Sequence, residues 1–103
     1  MTESEYTHLA DASLNRLEAA LDAAGVDYER AAGGVMEIEF DNGSVIVVNK
    51  QAAAQEIWVA AKSGGFHYRW DGAAWCDTRS GDELFTALGR LASAQAGADI
   101  ELS

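Results

Sequence analysis

The chain has 103 residues, 49% of them apolar, one cysteine and a formal net charge of −10 at pH 7. That length fits one domain with a modest core. The charge argues against nucleic acid, whose phosphates need Lys and Arg, and no apolar run approaches the ~18 residues of a membrane span. The N-terminal stretch MTESEYTHLAD lacks the basic patch and apolar run of a secretory signal. A lone Cys76 excludes an internal disulfide and fits a reducing compartment. A cytoplasmic protein is therefore expected, with cations or basic proteins as its partners. The acidity is uneven. Residues 1–41 carry ten acidic and two basic side chains, whereas residues 42–103 carry seven and five.

Residues 3–24 read as an amphipathic helix. Thr2 and Glu5 form a capping box at its start, and Gly25 is a natural stop. Tyr6, Leu9, Ala10, Leu14, Leu17, Leu21 and Ala24 share one side at helical spacing. Asp11, Glu18 and Asp22 fall within roughly 40° of one another, well away from that stripe. Strand signals follow. VDYER alternates, with Asp27 and Glu29 opposite Val26 and Tyr28. VMEIEF sends Met36, Ile38 and Phe40 one way and Glu37, Glu39 and Asp41 the other. DNGS is a hairpin turn, VIVVN the return strand, and residues 50–54 a short connection.

QEIWVAAKSGGFHYRW (residues 55–70) reads as a second hairpin. A four-residue turn over Lys62–Gly65 would pair Ala61 with Phe66, Val59 with Tyr68 and Ile57 with Trp70 on one face. Trp58 would then lie opposite Arg69, and Ala60 opposite His67, on the other. The period of two keeps Trp58 off the core face. DGAAWCD is a turn and a last short strand. Ser80 and Glu83 suggest a capping box for a helix over 81–95, with Leu84, Leu88 and Leu91 inward and Gly97 at its end. Ile100 and Leu102 are suited to pack as an extended tail against the helices. The expected fold is α+β, a two-layer α-β sandwich in the order α-β-β-β-β-β-β-α. Two helices would cover one face of a single antiparallel sheet and leave the other to solvent.

Within this order, NKQAAAQEIWVAAKSGGFHYRWDGAAW resembles the frataxin family in its bacterial form. The resemblance rests on Asn49-Lys50-Gln51, then Ile57-Trp58, a Gly-rich turn, an aromatic strand and Asp71-Gly72. LADASLNRLEAALD, GGVMEIEFDNGS and DTRSGDELF match in kind and order, so that nearly the whole chain is covered. The resemblance implies an α-β sandwich that binds iron weakly along an acidic ridge on the first helix and the adjoining edge strand. It also implies binding to the cysteine desulfurase and scaffold protein of iron–sulfur cluster assembly, as a regulator or an iron supplier. A monomer is expected in the absence of iron.

The metal candidates are Glu3, His8, Asp11, Glu18, Asp22, Asp27 and Glu29. Carboxylates are hard ligands suited to Mg, Ca, Mn or iron. The ridge is open, so binding should be multi-site and micromolar or weaker, about −8 kcal/mol or less. Ala19 and Ala23 stand where bacterial relatives often place acids, which leaves Glu18 and Asp22 as the best individual ligands. The alternative is a solvated acidic face with no ligand. Carried over by position, Asn49, Gln51 and Trp58 are the partner-contact candidates on the outer face, with His67 and Arg69 beside Trp58. The alternative to a partner-contact role for Trp58 is that Arg69 stacks on it by cation–π attraction and shields it. Glu37 and Glu39, with Asp41, would extend the acidic field toward a basic partner, and Glu18 and Asp22 would join that docking. Two distant histidines and one cysteine make no zinc spacing, and no Cys-His-Asp set suggests a nucleophile. An enzyme is therefore not expected. The competing readings are a metal-independent acidic interaction module and a ferroxidase. The latter lacks a visible di-iron arrangement of Glu-x-x-His pairs.

Overall fold

A computed structural model describes all 103 residues. Helix α1 spans Glu3–Ala24 and opens with the Thr2–Glu5 capping box; Gly25 closes it. Six strands follow: β1 (Asp27–Ala31), β2 (Val35–Glu39), β3 (Val45–Gln51), β4 (Glu56–Ala61), β5 (Gly64–Trp70) and β6 (Trp75–Asp77). Helix α2 spans Leu84–Ala96. The strands form one antiparallel sheet in chain order, β1 to β6. This is the expected two-layer α-β sandwich.

Strand alternation sets the layers. Met36, Ile38, Ile46, Val48, Ile57, Val59 and Tyr68 are almost fully buried, together with Tyr6, Ala10, Leu14, Leu17 and Leu21 of α1 and Leu84, Phe85 and Leu88 of α2. These side chains form one apolar core between sheet and helices. Leu102 of the C-terminal tail is buried with them, and Ile100 packs partly against the same core. The Tyr6 hydroxyl donates to the Glu56 carbonyl at 2.7 Å, which ties α1 to the first residue of β4.

Three local expectations are corrected. The β4–β5 hairpin closes on the two residues Lys62 and Ser63, not on four. Ala61 pairs with Gly64, Val59 with Phe66, Ile57 with Tyr68, Trp58 with His67 and Glu56 with Arg69. Gly64 enters the ladder at φ +146°, a backbone conformation that L side chains rarely adopt. The Gln95 side chain of α2 accepts from the Lys62 amide at 2.9 Å and holds the tight turn. The shift is two residues, so every side chain keeps its face and only its cross-strand neighbour changes. At α2, the cap is Glu83 itself, whose carboxylate accepts from the Phe85 and Thr86 amides. Ser80 cannot cap it, because Glu83 bridges to Cys76 as extended backbone and the Asp77 amide bonds the Asp82 carbonyl. Lys50 and Gln51 belong to β3, and the connection shrinks to a 3-10 turn over Ala52–Ala54.

Tyr6→Phe should lower stability by about 1–2 kcal/mol, the cost of a lost buried hydrogen bond, read as a shift in the urea midpoint. An unchanged midpoint would show that the bond to β4 contributes nothing.

Candidate functional site

Two surfaces bear the sequence candidates: the exposed side of α1 and the solvent face of the sheet. On α1, Glu3, His8 and Asp11 border one shallow surface depression with Ser4 and Thr7. Asp11 is already engaged. The Lys50 ammonium lies 2.6 Å from its carboxylate. To reach it, the Lys50 stem crosses Gly34, where a Cβ would overlap Lys50 Cε. Glu18 is engaged as well: one Arg30 nitrogen donates to its carboxylate and to the Asn15 side-chain oxygen, each at 2.6 Å. Asp22 faces Tyr28 of β1. Desolvation, with the facing Asp22 and Glu18 carboxylates, pushes the Tyr28 hydroxyl up to about 12.

Asp27 and Glu29 do not join this ridge. Tyr28 and Arg30 turn toward α1, so strand alternation sends Asp27 and Glu29 to the opposite side of the sheet. The seven metal candidates are thus split over two faces. No three His, Cys, Asp or Glu side chains converge on a point where a metal ion could sit.

Register assembles the solvent face row by row. Asn49 of β3 pairs with Trp58 of β4, which pairs with His67 of β5. The next row runs Gln51, Glu56, Arg69 and Cys76. At the other end, Asp27 lies directly opposite Glu39, and Glu29 opposite Glu37. All four are exposed, and like charges facing across strands destabilise a sheet. Between the two ends lie Val45, Val47 and Ala60, with Val45 among the most exposed large apolar side chains.

Trp58 does not stack on Arg69. The two-residue turn places His67 opposite it, and the imidazole lies parallel to the indole with ring centroids 4.4 Å apart. Arg69 instead donates to Glu56 at 2.7 Å. The Trp58 indole N–H donates to the other Glu56 oxygen at 2.8 Å. Glu56, Lys50 and Arg30 are the organising residues that sequence reading missed. The available signal for Glu56 was its position two residues before Trp58, on the same face of one strand. Cys76 borders this patch. Desolvation and the Asp71 carboxylate raise its thiol pKa, which disfavours the thiolate and any nucleophilic role.

Comparison with known proteins agrees with this architecture. A family model described as a frataxin-like domain matches residues 1–98. The iron-sulfur cluster assembly protein CyaY of Dechloromonas aromatica is 55% identical over 104 residues, covering 99% of each chain. Its namesake in Cupriavidus pinatubonensis is 54% identical, covering 99% of this chain and 96% of the relative. Among solved structures, frataxin from Psychromonas ingrahamii superposes with a TM-score of 0.91 at 30% identity, over 100% of this chain and 99% of its own. A trimeric frataxin from the yeast Saccharomyces cerevisiae, described as complexed with ferrous, gives 0.67 at 26% identity, covering 94% and 88%.

The Tyr28 environment is open to a direct test. A phenol whose pKa is raised on folding keeps its proton while the unfolded chain loses its own, so stability falls as pH rises from the ordinary value of 10.0 toward about 12. NMR of the Tyr28 ring carbons, which separates it from Tyr68, also pushed up to about 12, should show the step near 12, and Asp22→Asn with Glu18→Gln should lower it in part, since desolvation, the largest cause, remains. An unmoved step would separate Tyr28 from the ridge carboxylates.

Proposed function

The chain belongs to the frataxin family, and on that premise we propose that it serves iron–sulfur cluster assembly in the cytoplasm, docking on the cysteine desulfurase–scaffold complex through the solvent face of its sheet. The observation that carries this reading is Trp58. It is held by a hydrogen bond at one edge and a stacked imidazole on one side, on the sheet face that no helix covers. Ordered aromatic side chains of this kind are preferred interface anchors. Asn49 and Gln51 flank it along β3. The names of the curated relatives support the pathway.

Charge supports a basic partner. Asp27, Glu29, Glu37 and Glu39 repel one another in two facing pairs, and a cationic surface laid over them relieves that repulsion while speeding encounter. Stability and docking then oppose each other at these positions. Glu37→Gln should raise folding stability by about 0.5 kcal/mol and weaken binding to the purified desulfurase. Trp58→Arg should weaken that binding by at least about tenfold with the melting temperature little changed. Calorimetric titration gives both affinities, and wild-type affinity in Trp58→Arg would overturn this docking face.

Iron is the second part of the reading. Surface carboxylates suit a hard cation, and the yeast relative described as complexed with ferrous supports the assignment. With no converging ligand set, binding should be shallow, spread over several sites and micromolar or weaker. Asp11 and Glu18 already hold cations from the sheet, so Glu3, His8 and Asp22 are the accessible groups on α1, with Asp27 and Glu29 on β1. Titration with Fe²⁺ under nitrogen should broaden amide signals around these residues first. Silence over residues 3–29 at millimolar iron would leave the metal-independent interaction module as the better account.

A further inference from the structure

Glu56 is the one charged residue among the buried set, at 6% exposed, although its side chain points away from the helices. Burying a carboxylate is costly unless its oxygens are bonded. Each oxygen here has a partner. One accepts the Trp58 indole N–H at 2.8 Å, the other the Arg69 guanidinium at 2.7 Å. His67 Nδ1 lies 3.7 Å from the first, while its ring covers one side of the indole. Arg69 is itself mostly exposed, so it holds the carboxylate from the solvent side. The backbone of Glu56 is fixed independently, through its carbonyl and Tyr6 of α1.

We propose that Glu56 is a positioning residue for docking: its carboxylate, anchored by Arg69, fixes the Trp58 ring in the orientation that the partner receives. This rests on the reading of Trp58 as the docking anchor. A tryptophan on an open sheet face is otherwise free to change rotamer, and ordering it on contact lowers affinity. The Glu56 bond at the indole edge and the His67 stack remove that freedom before the partner arrives. Glu56 acts through Trp58, and the partner need not touch it.

The test uses Glu56→Met, which is close in volume and offers no acceptor, and Glu56→Gln, which keeps one for the indole. Each is made alone and in a Trp58→Phe background. Affinity for the purified cysteine desulfurase is measured by calorimetry, and hydrogen exchange of the Trp58 indole proton by NMR in the free protein. Glu56→Met should weaken binding roughly tenfold, the loss of one hydrogen bond to a charged acceptor, and should accelerate indole exchange. Glu56→Gln should recover most of both. In the Trp58→Phe background Glu56→Met should cost nothing further, because no N–H remains to hold. Wild-type affinity in Glu56→Met, with Trp58→Arg still weakened, overturns the positioning role and leaves the docking face standing. Wild-type affinity in Trp58→Arg overturns both. Additive losses in the Trp58→Phe background overturn the mechanism, since Glu56 would then meet the partner directly. Should Glu56→Met fail to fold, an indole proton that exchanges as fast in the unmodified protein as in free tryptophan overturns it alone.

Discussion

A sheet covered by helices on one side only divides every strand residue by residue between core and water. Everything placed on the solvent face of this protein depends on that division. Ile57, Val59 and Tyr68 go inward and are lost from view. Glu56, Trp58, His67 and Arg69 go outward because they lie between them. No separate folding signal is needed to expose the tryptophan. The same alternation that builds the core fixes which residues a partner can reach, and register then fixes which of them are neighbours.

The alternation also sorts charge. On β1 and β3 the cations Arg30 and Lys50 fall on the inward side, where they meet Glu18 and Asp11 of α1. Their strand neighbours Asp27 and Glu29 fall on the outward side, where β2 contributes Glu37 and Glu39. The outer face of β1 to β3 therefore has acids and no cation. Of the ridge acids Asp11, Glu18 and Asp22, the first two are meanwhile joined to the sheet. The acidic ridge that helical spacing suggests is thus partly a seam between layers. Such half-exposed pairs add little stability each, about 0–1 kcal/mol, but they remove two carboxylates from the set open to a cation.

Local chemistry was legible in the sequence, and long-range choice was not. The limits of α1 follow from a capping box and a terminal glycine, both decided within one turn of helix. Strand faces follow from the period of two, and so Ile57, Val59 and Tyr68 were placed in the core and Trp58 outside it. The turn after Ala61 could not be read the same way. Two-residue and four-residue closures differ by a register shift of two, which leaves the hydrophobic pattern unchanged. Gln95, far along the chain, holds the shorter turn. That single choice replaced Arg69 by His67 beside Trp58. Ser80 carried a valid local cap signal, and the pairing of Cys76 with Glu83 overrode it. Lys50 and Arg30 were invisible as ridge residues because their partners lie across the layer boundary.

The corrected register has a further physical consequence. With Arg69 stacked on the indole, the cation would have shielded Trp58. With Arg69 on Glu56, the cation lies one row away, and the neutral face of one indole side is covered by an imidazole instead. The solvent face then runs from four carboxylates at β1 and β2, through Val45, Val47 and Ala60, to Trp58 with His67 and Arg69 at β4 and β5. At that second end Arg69 is paired with Glu56 at 2.7 Å, so the face has acid at one end, apolar surface between and a charge-balanced aromatic patch at the other. A cationic surface is therefore attracted to one end of the face only. The restrained tryptophan and the four carboxylates thus lie at opposite ends of one face, the arrangement on which the proposed docking rests.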